Sequence, residues 1–448
     1  MSKLNLNNYN RVYFCGILGV SMSSLAKHSA IQLGKAVSGS DSAIKGKVSL
    51  FDGVIGYSGK NLNAIKSFNP DLVVYTSALD MSNKELRYAK KNGIAICKRS
   101  EFLGAICGQY KTSVAISGCH GKTTVTSMVA RILRSANKNF TSFIGGVDNQ
   151  LGNYYYSGED IVILEACEFK KNFLDIKANI SVVLNIDNDH ADSFLDMNDR
   201  IETFKKFASS GVSIINADDK YCSSLIGITT LTYGINKTSK YSARSVKLNS
   251  FGGYTFDFYI GDVKKGKIEL KILGKHNIYN ALCACAVADS LNIPFIKTKS
   301  ALENFENVKR RMEYVGKLYD KDVFCDYAHH PTEINSFING IACKSSQNLF
   351  VFQPHTYSRT RELMSEFTKV LSQVNNLIIY KTFPSREKFD KKGSAKSLYK
   401  EIKNEKNNNV KYASSPRRLK KELCKNSFYG KIYVLGAGDV YNIIKKLC

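Results

Sequence analysis

Two glycines and a lysine give the chain its first chemical signal. Ser117-Gly118-Cys119-His120-Gly121-Lys122-Thr123-Thr124 follows the apolar run Val114-Ala115-Ile116 and precedes a helical period from Val125 to Leu133. A strand, a glycine turn and a helix N-terminus make a phosphate cradle, because main-chain N–H groups and the helix dipole converge on an anion. In such a loop Lys122 reaches the β- and γ-phosphates of a nucleotide and Thr123 holds Mg²⁺. Two residues separate the glycines here, where the common loop has four.

More polar clusters end apolar runs. Ile161-Val162-Ile163-Leu164 ends in Glu165-Ala166-Cys167-Glu168, and Ser181 to Leu184 ends in Asn185-Ile186-Asp187-Asn188-Asp189-His190. Carboxylates at the C-terminal ends of parallel strands lie on the ligand edge of a sheet, and beside a phosphate loop Glu165 is a natural Mg²⁺ ligand. His190 joins the same edge as a metal or phosphate group. Near the N-terminus, Gly16-Ile17-Leu18-Gly19 follows a strand, with Ser40-Asp41 ending the next one. This is a nucleotide diphosphate site or a tight βα turn; it lacks the G-x-G-x-x-G spacing of a dinucleotide fold. Asn277 and Asn280 open a helix, where N-capping and ligand binding are not separable by pattern. Further on stand Lys309-Arg310-Arg311, Asp326-Tyr327-Ala328-His329-His330-Pro331-Thr332-Glu333, Gln353 to Arg361, and Gly436-Ala437-Gly438-Asp439. The last three fall at strand ends and so on one sheet edge. Arg359 and Arg361 offer planar forks for carboxylate or phosphate.

The elements that must position these groups alternate strand-like and helix-like runs, which predicts an α/β chain with mostly parallel sheets. Three blocks follow. The first has strands Val12–Cys15, Val37–Gly39, Leu72–Tyr75 and Ile94–Cys97. The second opens with the phosphate loop and carries an antiparallel patch within Tyr241–Lys271. The third has strands Val323–Cys325, Leu349–Phe352, Leu377–Tyr380 and Ile432–Leu435. Glu405 to Asn409 reads as a loop. We place the domains at 1–107, 108–307 and 308–448.

A chain of 448 residues is too long for one core. The net charge of +25 raises the prior for acidic partners, but the lysines are spread along the chain and form no basic helix or nucleic-acid motif. No nucleic-acid partner is expected. Twelve cysteines without a C-x-x-C pair read as free thiols in a reducing compartment rather than a zinc site. No apolar run is long enough to span a bilayer, and Met1 to Tyr9 has no signal-peptide layout. A cytoplasmic protein without membrane insertion is expected, as a monomer or weak homodimer.

These strings, in this order from residue 11 almost to the C-terminus, resemble the Mur ligase family of ATP-dependent amino-acid ligases. Tyr-Ala-His-His-Pro-Thr-Glu (327–333) and Gln-Pro-His-Thr-Tyr-Ser-Arg-Thr (353–360) are similar to the branch that adds L-alanine to UDP-N-acetylmuramate. The resemblance implies a Rossmann-like N-terminal domain for the UDP-sugar, a central P-loop ATPase-like domain, and a C-terminal Rossmann-like domain for the amino acid. It implies ATP and Mg²⁺ as cofactors, and UDP-N-acetylmuramate and L-alanine as substrates. Gly16, Gly19, Ser40 and Asp41 then line the UDP site. Gly118, Cys119, His120, Gly121, Lys122, Thr123 and Thr124 hold ATP, with Asn277, Arg311 and Asp326. Thr123, Glu165 and His190 hold metal. Tyr327, His329 and Arg359 receive alanine, and Lys122, His120, His190 and Glu165 are the catalytic set. Three positions depart from the family pattern: Cys119 where many relatives have Thr, Ala328 where Gly is frequent, and Thr356 where others have Arg. Arg361 is the substitute considered for that last lost cation. Lys205 lies where some members carry a carbamylated lysine, a role not carried over.

Overall fold

Short strands, the central ones Val-, Ile- and Leu-rich and buried on both faces, alternate with helices and assemble into three sheets. The computed structural model describes residues 4–51, 53–187, 193–227, 230–340, 347–385, 387–405, 409–425 and 430–448.

The first sheet runs Lys47–Phe51, Val54–Ser58, Ala36–Asp41, Arg11–Cys15, Leu72–Tyr75, Ala95–Lys98 across its width. Every pair is parallel except the antiparallel hairpin of its first two strands. The central sheet has ten strands, with Thr112–Ser117 between Ile180–Val183 and Ile161–Glu165. That register brings the ends of all three, and so the phosphate loop, Glu165 and Asn185, to one edge. The strands Tyr241–Leu248, Tyr254–Ile260 and Val263–Glu269 are sheet neighbours joined by connections too short for anything but hairpins. The expected antiparallel patch is therefore an extension of the central sheet, which it joins through a parallel pairing of Tyr241 with Tyr233. The third sheet orders Glu313–Leu318, Lys321–Asp326, Lys431–Leu435, Leu349–Phe352, Asn376–Tyr380 and Asn409–Ala413. The expected loop at 405–409 is narrower: Glu405 ends a helix and Asn409 opens a strand, with 406–408 outside the described residues.

The chain forms two compact units. One comprises Met1–Val246, Phe256–Ile268 and Tyr279–Phe305, the other Lys247–Thr255, Glu269–Ile278 and Glu306–Cys448. In the first, the two sheets share a continuous core running from Val12, Phe14 and Leu25 through Phe102, Leu103 and Ile106 to Phe143, Phe173 and Phe204. The helix Arg99–Cys107 packs so closely on the next domain that a Cβ on Gly104 would lie 2.2 Å from the Asp175 carbonyl oxygen. Asn153 Nδ2 donates to the Val20 carbonyl at 2.7 Å, and Asn172 Nδ2 to Ser77 Oγ at 2.8 Å. His28 is buried in the same seam, its ring edge-on to Phe143 and Tyr154 and its Nδ1 3.1 Å from the Tyr154 hydroxyl. In the second unit the strand period of two splits the core cleanly. Phe350, Phe352, Leu377, Ile379, Tyr433 and Leu435 face one side, and Leu349, Val351, Ile378, Tyr380, Ile432 and Val434 the other. Among the described residues no helix is long and apolar enough to cross a membrane.

Candidate active site

The strand Thr112–Ser117 turns at Gly118 into the helix Lys122–Ser135. Two glycines make that turn possible. Gly118 has φ +135°, and a Cβ there would lie 2.9 Å from Leu184 Cβ. Gly121 has φ +87°, and a Cβ would meet Asn280 Oδ1 at 2.8 Å. Both sit in backbone space that L side chains avoid. Asn185 then pins the loop from the neighbouring strand end. Its Oδ1 accepts from His120 N at 2.8 Å, its Nδ2 donates to the His120 carbonyl at 2.9 Å, and its own carbonyl accepts from Cys119 N at 3.2 Å. The Cys119 thiol is buried against the Asp187 backbone, accepting from Asp187 N at 3.2 Å. His120 Nε2 lies 3.1 Å from Asp187 Oδ2.

Lys122 Nζ donates to the Cys119 carbonyl at 3.1 Å, to the Gly118 carbonyl, and to Glu168 at 3.0 and 3.2 Å. Its side chain is 12% exposed and that of Glu168 is 0% exposed. Burial alone lowers a lysine pKa; here the charge of Glu168 foremost outweighs it and raises Lys122 above its ordinary value. The raised pKa favours the charged ammonium at the cradle. Thr123 Oγ1 donates to Glu165 Oε2 at 2.8 Å, and the same oxygen accepts from Gly145 N at 3.1 Å. A Cβ on Gly145 would fall 2.0 Å from that carboxylate, so a larger residue there would displace Glu165 from this position. Sequence reasoning gave Glu168 a lesser place than Glu165, assigned no role to Asn185, and missed Gly145. The first two end predicted strands, but a glycine on a third strand carries no local signal. His190 lies outside the described residues. Lys205 sits on a helix surface, 59% exposed, 3.8 Å from Glu202.

In the first domain, Gly16 (φ +90°) turns the chain so that Gly16 N and Ile17 N donate to the Ser40 carbonyl at 2.7 and 3.1 Å. Gly19 precedes the helix Val20–Ile31 as its N-cap. Asp41 accepts from Leu18 N at 3.2 Å and Ala43 N at 3.0 Å. The Ser40 side chain does not reach the sheet edge: it is buried and donates to Glu85 Oε2 at 2.9 Å. Glu85, 1% exposed, also accepts from Tyr13 OH at 3.0 Å. Burial pushes its pKa up, and the two hydroxyl donors oppose that.

In the second unit, Asp326 ends its strand and accepts from Met312 N and Ala328 N, each at 2.8 Å. Burial pushes its carboxyl up, against the nearby Arg311 cation. The guanidinium groups of Arg310 and Arg311 lie 4.8 and 5.4 Å from the Tyr327 ring. His329 is oriented by the Tyr327 carbonyl, 3.0 Å from its Nδ1, and by Glu333, 3.2 Å away. Its ring centroid is 5.6 Å from that of His355, whose Nδ1 lies 3.4 Å from an Arg359 terminal nitrogen. Tyr327, His329, His355 and Arg359 thus form one cluster. Asn277 donates to the Leu273 carbonyl at 2.6 Å. Arg361 does not join them: it pairs with Asp390 at 2.7 Å on a half-exposed surface.

A glycine turn between strand and helix, with a lysine at the helix start and on the edge of a mostly parallel sheet, is the architecture of an α/β phosphate-binding protein. Family profiles narrow this. The Mur ligase middle domain matches residues 116–288, the Mur ligase glutamate ligase domain 310–438, and the catalytic domain of the Mur ligase family 11–111. The chain belongs to the Mur ligase family. A protein of Lachnospira eligens named UDP-N-acetylmuramate–L-alanine ligase is 36% identical over 99% of both chains. One of the same name from Clostridium novyi is 38% identical over 98% of this chain and 97% of that one. Among solved structures, the UDP-N-acetylmuramate-alanine ligase of Thermotoga maritima superposes with a TM-score of 0.82 at 24% identity, covering 98% of each chain. A murein peptide ligase from Psychrobacter arcticus gives 0.72 at 23% identity, covering 97% of each. Both share the fold.

Proposed function

We propose that this chain is an ATP-dependent ligase that joins L-alanine to the carboxylate of UDP-N-acetylmuramate in peptidoglycan precursor synthesis. The observation that carries the reading is the end-to-end match with relatives of that name, at 36 and 38% identity. The phosphate loop with its charged Lys122 supports the nucleotide half of it.

The assignment of roles follows the chain. Residues 1–107 bind the UDP-sugar at Gly16, Gly19 and Asp41, with Ser40 acting through its backbone carbonyl. Residues 108–307 bind ATP at Gly118 to Thr124, and the family resemblance assigns Asn277 to the nucleotide as well. Residues 308–448 receive alanine at Tyr327, His329 and Arg359, and the family resemblance assigns Arg311 and Asp326 to nucleotide contacts. Thr123 Oγ1 and Glu165 Oε2 are hard oxygen donors 2.8 Å apart beside the loop, a donor set that fits Mg²⁺, with His190 as a third group. Held by these residues, Mg²⁺ would supply neutralisation of phosphate charge. The enzyme works in the cytoplasm as a monomer or weak homodimer, without nucleic acid and without membrane insertion.

A carboxylate is a poor electrophile, so it must be activated. One of its oxygens attacks the γ-phosphorus, the bond to ADP breaks, and an acyl phosphate forms. Lys122 stabilises the charge that develops on the transferring group. Alanine's nitrogen then attacks the acyl carbon, and phosphate leaves with the former carboxylate oxygen. Of the two protons lost by the ammonium, one ends on phosphate and one in solvent. His120, fixed by Asp187 and Asn185, stands at the loop where the acyl group is made. Arg359 holds the alanine carboxylate.

Phosphate release from ATP, with UDP-N-acetylmuramate present and amino acids added singly, tests this. Release that needs the UDP-sugar and is fastest with L-alanine is expected. Release that ignores free alanine but responds to an alanine-led peptide moves the assignment to a peptide-salvage ligase. Release independent of the UDP-sugar overturns the role of the first domain.

A further inference from the structure

The turn that presents Arg359 is not held by its own strand. Thr356 has φ +67°, outside the region that a β-branched residue prefers, and the six-residue helix Tyr357–Glu362 begins directly after it. A conformation of this kind persists only where its surroundings enforce it. Thr356 caps the helix itself, its Oγ1 accepting from Arg359 N at 3.4 Å, and the side chain that reaches the turn from outside is Glu387, thirty residues on in a loop with no motif of its own. Its Oε2 accepts from Tyr357 N at 2.6 Å and Ser358 N at 2.9 Å, and its Oε1 accepts from the Ser358 hydroxyl. Charge-assisted bonds of this type are about twice as strong as neutral ones. The two segments are laced together elsewhere too. Thr356 N donates to the Phe383 carbonyl at 2.9 Å, Phe383 N donates to the Pro354 carbonyl at 2.9 Å, and a Cβ on Gly393 would lie 1.9 Å from the Tyr357 carbonyl oxygen. The His355 and Phe383 rings stack at 5.5 Å.

We propose that Glu387 is the positioning residue of the amino-acid site. It locks the Thr356–Ser358 turn that aims Arg359 and occupies the first N–H groups of the helix with the chain's own carboxylate. The Arg359 guanidinium is thereby aimed from a fixed turn at an incoming amino-acid carboxylate. This rests on the role proposed above for Arg359.

Two variants test it, with KM measured for each substrate separately and amide hydrogen exchange measured over 354–362. Glu387→Ala is expected to raise KM for L-alanine about tenfold or more, the scale of one charge-assisted hydrogen bond. KM for ATP and for UDP-N-acetylmuramate should stay within about twofold. Exchange at Tyr357 and Ser358 should speed up. Glu387→Gln keeps an acceptor for the two N–H groups and should recover part of the alanine KM. An unchanged alanine KM, or equal rises in all three KM values, overturns the proposal. If the wild-type protein shows no alanine-dependent turnover, the functional reading has failed instead. The exchange data then decide by themselves whether Glu387 holds the turn, and unchanged exchange at 357 and 358 refutes it.

Discussion

The phosphate loop of the first unit and the polar edge of the second are held by different kinds of bond. The loop is a backbone device. Its shape comes from Gly118 and Gly121 at positive φ and from Asn185 bonding main-chain atoms of its neighbour strand. Apart from that amide, side chains enter as the Lys122–Glu168 and Thr123–Glu165 pairs. The edge around His329 and Arg359 is a side-chain device. Histidines, tyrosine and guanidinium groups orient one another, and carboxylates from Glu333 and Glu387 fix the turns beneath them. On the roles proposed above, a phosphate is bound much alike in every nucleotide, and a rigid backbone with one lysine added meets it. On the same proposed roles, an amino acid must be chosen by its shape, and that is work for replaceable side chains.

The contrast is open to attack at several points. Lys122→Ala removes the one cation the loop's backbone cannot replace. Turnover should fall at least ~10²-fold in a steady-state phosphate assay, the scale of deleting one key electrostatic donor. A near-normal rate would mean that the backbone alone carries the step.

Glu85→Ala probes the first domain. It strands the buried Tyr13 and Ser40 hydroxyls, and a loss of about 2–3 kcal/mol in urea unfolding is expected. Glu85→Gln should lose less, because an amide oxygen still accepts one of them. Equal losses would show that charge, not hydrogen bonding, matters there.

His28 tests the seam that fuses the first two sheets. Burial lowers its pKa from 6.5 to about 4. The unfolded chain therefore binds a proton that the folded one refuses between these values. The histidine's contribution is intact above pH 6.5 and is lost as pH falls towards 4. Wild-type stability should drop by about 2 kcal/mol more between pH 7 and pH 5 than that of His28→Phe. Parallel pH profiles would remove His28 as the cause.

The smallest effect belongs to Arg361→Ala. An exposed pair with Asp390 is worth under about 1 kcal/mol, so both stability and the alanine KM should barely move. A large rise in KM would restore Arg361 as the substitute for the family's arginine at 356.

Much of this was legible in the sequence because the informative contacts are local. The phosphate loop, Glu165 and the strings ending the C-terminal strands announce themselves within a few residues of a glycine or an apolar run. The parallel sheets followed from the alternation of periods. What stayed hidden is non-local. Glu387 sits about thirty residues from the turn it holds, Glu85 about seventy from Tyr13, and Gly145 twenty from Glu165. The Ser40 side chain was expected at the ligand edge, but strand alternation turns it inward to Glu85 while its carbonyl holds the glycine turn. The core shared by the first two sheets was equally invisible. Nothing in Phe102 or Phe173 marks them as partners across a domain seam.

The most direct test follows an oxygen atom. UDP-N-acetylmuramate labelled with ¹⁸O in its carboxylate is turned over with ATP and L-alanine, and the released phosphate is weighed by mass spectrometry. Activation through an acyl phosphate leaves one ¹⁸O in each phosphate and one in the amide product. Unlabelled phosphate would mean that water, not the sugar's carboxylate, takes the γ-phosphoryl group, and the ligase account would fall.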